Sequence, residues 1–532
     1  MCDSTSLSLV APAPGCWARV LWKVVTLLLV GWLLWTFRSW NLGIGDGLFC
    51  CKQVVGEQAY AVTLSRNPLS YLLYRGLFFT LHPLLHWWVE DIIALSSCAA
   101  GLVFFYALHT LARDAADSRI DQWLLLLFPS TTMVLQTFCG HVEFYSWTCA
   151  LLMVSVTLSW KTIYENRSPF WPSVVMALAT GFHSSGVFYY PALLPLIPLA
   201  GKGNHREVCL SRRDVAKTIS FLGIFIAAAL LHRKPFEHVF YITILLSFLY
   251  YAVRCPASLK KELRPWWIVF SPWVILFLVR SFFHLRAEPL LEHLAPLRPG
   301  YDPGAFHFEM FSWMHLEVKW FLHFFLAPFG VLWMLIFLWG KRRAVWTNPW
   351  LLFLLHFSVW ALIWSTLFYP QLYLRTWDLL GHPAVPPRDW DLFVTMAIPL
   401  NLFAVFAAWR FLRPGVFRQL AAAAIALHLV LSLPVLLRNS GWLSDRGYVT
   451  IEYDPQPVTA RAFLRSLELG RTPVRQKNIR AGYADIRLVP VERGYQSWRR
   501  DVYLVPGQEY RFAPVLELNH AVIPLPDDTL DE

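Results

Sequence analysis

Long apolar stretches without a charged residue alternate along this chain with short connectors that carry Lys and Arg. The stretches are roughly 17–25 residues long, which is the length that an α-helix needs to cross a hydrocarbon core about 30 Å thick. Charged residues make up 15% of the chain, whereas soluble domains contain about 25%. The pattern therefore predicts a polytopic α-helical membrane protein.

The apolar stretches predict about 13 membrane-spanning helices within residues 1–440. We interpret 17–37 as a retained first helix, because the preceding residues lack the basic start of a secretory signal peptide. A helix at 68–81 is too polar at its start to span and is expected to lie in the bilayer interface. The other spans are expected near 87–111, 123–138, 144–160, 219–231, 239–253, 266–283, 321–339, 351–368, 392–408 and 420–437.

The apolar block 171–200 is too long for one ordinary spanning helix and too short for two complete ones. Pro191 and Pro195 interrupt it, and the polar segment 181–186 lies near its middle. We therefore predict two short helices folded as a hairpin around that polar point. Irregular backbone at this depth is tolerated where it lines a cavity inside the protein.

The basic connectors determine the predicted orientation of the chain. If the N-terminus is cytoplasmic, every strongly basic connector except the turn 232–234 lies in the cytoplasm, as the positive-inside rule requires. The odd number of spans then places the C-terminal segment outside. Topology accounts for the net charge of +11, and we expect the lipid bilayer, not nucleic acid, as the partner of these residues.

The nine cysteines show neither metal-ligand spacing nor a disulfide-rich framework. Cys98 and Cys149 fall inside predicted spans, where Cys acts as a small apolar residue. The adjacent Cys50 and Cys51, and Cys139, fall on predicted external loops, where we expect unpaired thiols.

Residues 441–532 differ from the rest in composition and predict a small antiparallel β domain. Alternating runs at 448–453 and 484–489 are separated by turn signals. The order of motifs, among them Gly470-Arg471-Thr472-Pro473 and Gly494-Tyr495-Gln496-Ser497-Trp498, resembles the PEGA domain over about seventy residues. That resemblance implies a small β-sandwich of a bacterial envelope protein, with a structural or binding role.

Two groups of acidic and imidazole side chains on predicted external loops are candidates for chemistry. Asp46 follows the first span in a glycine-rich segment, which allows close approach of a ligand but also fits an ordinary Asp-Gly turn. His141 and Glu143 lie at a helix start, where they can bind a cation or orient a sugar hydroxyl; Glu143 can equally cap the helix. Convergence of such groups on one face is what a metal or acid/base site requires.

Two further candidates lie later in the chain. His183 is at the tip of the predicted hairpin, where it lines the cavity or serves as a hydrogen-bonded structural residue. Arg388, Asp389 and Asp391 begin a span, where they can bind a phosphate or cap the helix.

The organisation of the chain resembles that of the GT-C glycosyltransferases. The resemblance is carried by Asp46 in the first external loop, the interfacial helix at 68–81, the short paired helices, and the external C-terminal domain. It implies a polyprenyl-phosphate-linked sugar donor, with a carboxylate as general base and a cation, Arg or Lys at the departing phosphate. Many members have two adjacent acids in that loop, whereas Gly47 follows Asp46 here, so base and metal-ligand roles for Asp46 stay open.

The two resemblances together imply a membrane glycosyltransferase, of the hexosyltransferase type, in a bacterial inner membrane. The catalytic residues would be Asp46 and Glu143, and the substrate-binding residues His141, His183, Arg388, Asp389 and Asp391, with Arg375 and Arg286 as further phosphate-binding candidates. The sugar would pass to an envelope acceptor (a glycan, lipid or protein) on the periplasmic side, with a divalent cation as a candidate cofactor and Asp46 as its ligand. The alternatives are a non-enzymatic transporter or scaffold whose tail binds polymer, and a polysaccharide polymerase or ligase.

Overall fold

The computed structural model of this protein describes residues 16–40, 47–55, 67–201, 203, 313–367, 393–442, 447–465 and 467–518, with 264, 265, 268, 269, 271, 272 and 275. The predicted spans 219–231 and 239–253, and most of 266–283, lie outside the described residues.

The described part of the membrane domain is helical. Its helices are α1 (Cys16–Thr36), α2 (Gly47–Val55), α3 (Pro68–Leu85), α4 (Val89–Ala115), α5 (Arg119–Ser130), α6 (Val134–Phe138), α7 (Tyr145–Glu165), α8 (Phe170–Phe182), a 3₁₀ helix (Ser184–Leu193), α9 (Leu196–Leu199), α10 (Trp313–Leu326), α11 (Gly330–Thr347), α12 (Pro349–Leu367), α13 (Val394–Phe411) and α14 (Pro414–Asn439). Three of them, α4, α13 and α14, are long and apolar enough to cross a membrane, and shorter apolar helices accompany them. The predicted total of about 13 spans stays a prediction.

Contacts between helix termini define the two ends of the bundle. At the first, which we call the basic end, Asp114 contacts Lys161 at 3.6 Å and Asp121 contacts Arg418 at 2.8 Å. At the second, which we call the tail end, the Ser39 amide donates to the Cys139 carbonyl at 2.7 Å. The C-terminus of α14 also lies at the tail end, because its Asn439 carbonyl accepts from the amide of Trp40.

The predicted hairpin at 171–200 is confirmed. Helix α8 ends at Phe182, and the chain returns through the 3₁₀ helix and α9 to the C-terminal end of α7, where the Gly201 amide donates to the Thr162 carbonyl at 3.0 Å. The returning arm is not a regular α-helix because Pro191 and Pro195 supply no backbone N–H.

Two other predicted spans are interrupted in the structure. The span 123–138 breaks at 131–133 between α5 and α6, and 321–339 breaks at 327–329 between α10 and α11. Proline explains both breaks: Pro129 is in the last turn of α5, and Pro328 is inside the second break. The predictions of a single continuous helix in these two stretches were wrong.

The described C-terminal strands form two packed sheets. They are β1 (Tyr448–Tyr453), β2 (Ala460–Leu464), β3 (Leu467–Arg471), β4 (Val474–Arg480), β5 (Gly482–Pro490), β6 (Trp498–Leu504) and β7 (Glu509–Phe512). One sheet has the order β4-β1-β7 and the other β3-β2-β5-β6. Alternate residues of β1 and β5 enter a shared apolar core, as the period of a strand requires. The pairs are antiparallel as predicted, except that β1 and β7 are parallel.

Candidate functional site

The loop between α6 and α7, residues Cys139 to Phe144, carries two of the predicted site residues at the tail end. Gly140 has φ = 54°, and a Cβ at this position would be 2.4 Å from the Cβ of Arg38. Only glycine fits that conformation and that contact without strain. The loop therefore turns sharply against the C-terminal end of α1, which buries His141 and Glu143 to 1% exposure each.

Helix α3 holds this loop beside the tip of the hairpin. The Ser70 hydroxyl contacts the Phe144 carbonyl at 3.4 Å and the Phe182 carbonyl at 2.8 Å. One turn further along, the Tyr74 hydroxyl donates to the Glu143 carbonyl at 2.8 Å. A single helix of the first external segment thus contacts the residues next to both Glu143 and His183.

Helix α2 covers the Glu143 carboxylate. The Cys50 thiol donates to Glu143 Oε2 at 3.5 Å, and an apolar cluster of α2, α3 and α4 surrounds the pair. Burial raises the pKa of the neighbouring Cys51 thiol well above its usual value, and Glu90 adds to the shift. Both cysteines are free thiols, as expected, but they lie in a buried helix and not on an open loop.

His183 closes the N-terminus of the 3₁₀ helix. Its Nδ1 accepts from the Ser185 amide at 3.1 Å and from the Ser185 hydroxyl at 2.8 Å. An accepting Nδ1 implies the neutral tautomer with its proton on Nε2. The ring packs on Tyr145, with ring centroids 4.3 Å apart. Tyr145 is the first residue of α7 and follows Glu143 by two positions, so His183 lies close to the loop that carries Glu143.

The structure therefore brings His141, Glu143 and His183 to the same end of the bundle. Asp46, Arg388, Asp389 and Asp391, together with Arg375 and Arg286, lie outside the described residues, and their roles stay predictions. Asp46 immediately precedes Gly47, the first residue of α2. Within the described ranges, no group of three His, Cys, Asp or Glu side chains is placed to hold a metal ion.

Two arginines of the β domain were missed by the sequence reasoning, although they enter the same end of the bundle. Arg465 forms an ion pair with Glu90 at the start of α4, and both side chains are 1% exposed. Arg465 also donates through Nη2 to the Arg480 carbonyl at 2.8 Å, and Arg480 itself donates to the Ser39 carbonyl. We call this contact region, formed by Arg38, Ser39, Trp40, Glu90, Asp91, Arg465 and Arg480, the junction.

A buried lysine was also missed. Lys319 in α10 is 5% exposed, and its Nζ lies 4.1 Å from the ring centroid of Phe393. In the sequence, Phe393 follows directly on the segment that contains Arg388, Asp389 and Asp391. Ionisable residues in membrane helices are costly and usually functional, so Lys319 is a further candidate.

Comparison with known proteins gives matches among solved structures only. No family model matches the sequence, and no curated protein matches it. The archaeal oligosaccharyltransferase AglB from Archaeoglobus fulgidus, solved in complex with an inhibitory peptide and a dolichol-phosphate, is similar at 12% identity and a TM-score of 0.38, over 80% of this chain and 56% of that one. ArnT from Cupriavidus metallidurans in the apo state is similar at 12% identity and a TM-score of 0.38, over 79% of this chain and 66% of that one.

Both proteins are GT-C glycosyltransferases, the superfamily that the sequence resembles. The chain spans only 56% of the length of the AglB chain.

Proposed function

We propose that this protein is a membrane glycosyltransferase that moves a sugar from a polyprenyl-phosphate-linked donor to an acceptor at the tail end. One observation supports the proposal: the loop that carries His141 and Glu143 lies beside the tip of the hairpin that carries His183, at the end of the bundle that the β domain contacts. A donor with its isoprenoid in the bilayer presents its phosphate at the surface of the membrane. A site at a helix-bundle end can therefore reach both the lipid-linked donor and a water-exposed acceptor.

The reaction requires a base and a cation. A carboxylate removes the proton of the acceptor hydroxyl, whose oxygen forms a bond to the anomeric carbon. The bond between that carbon and the phosphate oxygen breaks, and its electron pair leaves with the phosphate, which a cation stabilises. We assign the base to Asp46, and both Arg388 and Lys319 are candidates for the cation.

Glu143 receives a different role from the one that the sequence suggested. Its carboxylate lies beneath α2 at 1% exposure and contacts the Cys50 thiol, so it does not face a substrate. We therefore assign Glu143 as a positioning residue, which holds α2, the helix that Asp46 directly precedes in the sequence. His183 remains a substrate-binding candidate next to Tyr145.

The distribution of charge supports one orientation in the membrane. Arg113, Lys161, Arg167, Arg413 and Arg418 lie at the basic end, on or next to the termini of α4, α7 and α14. The positive-inside rule puts that end in the cytoplasm. The tail end and the β domain would then face the periplasm of a bacterial inner membrane, where envelope acceptors are found.

The test is transfer of labelled sugar from a polyprenyl-phosphate donor by the full-length protein in liposomes. We expect Asp46→Asn to lower kcat by roughly 10²–10⁴-fold, the range for loss of a general base. Glu165→Gln, at the basic end, is the matched control and should leave transfer unchanged. If Asp46→Asn transfers at the normal rate, Asp46 is not the base.

The positioning role of Glu143 has its own readout. Glu143→Gln should lower kcat and also increase the rate at which Cys50 and Cys51 react with a maleimide, because α2 is held less firmly. Lower kcat with unchanged thiol reactivity would contradict a role through α2. Failure of the normal protein to transfer from any polyprenyl-phosphate sugar would favour the non-enzymatic scaffold.

A further inference from the structure

Charge is unbalanced in the junction between the β domain and the bundle. The charged groups that act on Arg480 are Asp91, Glu90, Arg38 and Arg465. Within the described ranges, three guanidinium groups therefore face two carboxylates, an excess of one positive charge. A buried charge of this kind is strongly destabilising unless an anion compensates it.

Arg480 is the arginine of the junction with the most hydrogen-bond donors that lack an acceptor in the described residues. Its side chain is 1% exposed, and Nη2 donates to the Ser39 carbonyl. The other two nitrogens, Nε and Nη1, have no hydrogen-bond acceptor in the described part of the chain. Buried N–H groups almost always have an acceptor, so two such donors on one guanidinium indicate a ligand. Burial lowers the pKa of Arg480 to about 10, which still leaves it protonated at neutral pH.

Arg38 approaches the same place from the end of α1. Its guanidinium carbon is 5.5 Å from the ring centroid of Trp40, and that of Arg480 is 4.3 Å from it. Asp91 is 3.5 Å from Arg38 Nε and also acts on Arg480, so that one carboxylate faces two guanidinium groups. Two like charges over one indole repel each other unless an anion lies between them or beside them.

We propose that the junction binds a phosphate group between the guanidinium groups of Arg38 and Arg480, against the indole of Trp40. A phosphate presents oxygens in several directions, whereas a carboxylate presents two in one plane, so a phosphate fits two guanidinium groups of different orientation better. The phosphate belongs either to a lipid-linked phosphate or to a free phosphate, since both present the same oxygens. The inference concerns binding alone and does not depend on the proposed transfer reaction.

Equilibrium dialysis of the full-length protein in detergent tests the proposal with two probes, radiolabelled inorganic phosphate and a radiolabelled polyprenyl phosphate. Neither a sugar donor nor an acceptor is present, so an inactive transferase does not affect the result. Binding of inorganic phosphate assigns a free phosphate site. Binding of the polyprenyl phosphate alone assigns a lipid-linked one.

Three variants locate the site. Arg38→Gln should weaken binding by roughly ten- to a hundredfold, because it removes a charge-assisted contact. Asp91→Asn should strengthen binding by about tenfold, because it removes the carboxylate that competes with the phosphate. Arg475→Gln, in the same strand as Arg480 but half exposed, is the matched control and should leave binding unchanged.

The two variants are expected to change phosphate affinity in opposite directions, Arg38→Gln lowering it and Asp91→Asn raising it. Misfolding would lower the affinity of both variants, so the test does not depend on folding. Both side chains are also partly exposed, at 11% and 20%, so their replacement is tolerated better than that of Arg480. Absence of binding for both probes overturns the proposal. Equal binding by all variants overturns it as well, since the phosphate would then lie elsewhere.

Discussion

The ion pair between Arg465 and Glu90 should dominate the attachment of the β domain to the bundle. Both side chains are 1% exposed, so neither charge is screened by water. Loss of one partner leaves the other charge buried, which costs about 3–5 kcal/mol. We therefore expect Glu90→Met or Arg465→Met alone to weaken attachment by roughly a hundred- to several-thousand-fold.

The double variant should lose less free energy of attachment than the two single variants lose together. Methionine at both positions removes both charges and fills similar volume, and such replacements are often neutral. One cost remains, because the Arg480 carbonyl loses the donor that Arg465 supplies at 2.8 Å. A buried acceptor without a donor costs about 1–3 kcal/mol. The double variant should therefore be destabilised by about 1–3 kcal/mol, with a favourable coupling of several kcal/mol between the two sites.

Hydrogen exchange measured by mass spectrometry on the detergent-purified protein gives these free energies. The peptides to follow are 460–481 in the β domain and 86–93 in the bundle, because they contain the two partners. Arg475→Met is the control: Arg475 pairs with Glu509 on the exposed surface, and such a pair contributes at most about 1 kcal/mol. If the two single effects simply add within about 0.5 kcal/mol, Arg465 and Glu90 do not act as a buried pair.

Two further predictions concern the loops that carry the site. Gly140→Ala should destabilise the fold by at least about 1–2 kcal/mol in thermal unfolding, because alanine disfavours a φ of 54° and its Cβ would overlap Arg38; an unchanged melting temperature would contradict the turn geometry. His183→Ala should destabilise the 3₁₀ helix by about 1 kcal/mol through loss of its cap, whereas His183→Asn should retain the cap. Hydrogen exchange across 184–193 distinguishes the two variants, and equal exchange would show that the Ser185 contact stabilises nothing.

Much of the bundle could be predicted from the sequence, because the length of an apolar stretch and the charges at its ends are properties of a continuous segment of chain. The helix predicted at 68–81 is observed as Pro68–Leu85, and the hairpin around His183 is observed as expected. The joint position of Glu143 and His183 also followed from the sequence, since each lies at the end of an element that runs toward the tail end. Prolines 129 and 328 contained the signal for the two missed breaks.

The junction could not be predicted in the same way. Arg465 follows the end of β2 and Arg480 is the last residue of β4, and arginine at such places usually faces water. Their burial depends on contacts with residues almost 400 positions earlier in the chain, such as the one between Arg465 and Glu90 (|i−j| = 375). Helix α2 was missed for a related reason: nine residues are too few to show a clear helical period.

The position of Glu90 and Asp91 explains why the junction carries more positive charge than its own carboxylates require. Both acids lie in the first turn of α4, where the helix dipole already favours negative charge by about 0.3–1 kcal/mol each. Arg465 pairs with Glu90 and Arg38 pairs with Asp91, while Arg480 faces both acids. Among the described residues the junction therefore holds three guanidinium groups for two carboxylates, and an anion beside Arg480 would compensate the excess. Attachment of the β domain and binding of a phosphate in the junction must then stabilise each other, because each supplies what the other lacks.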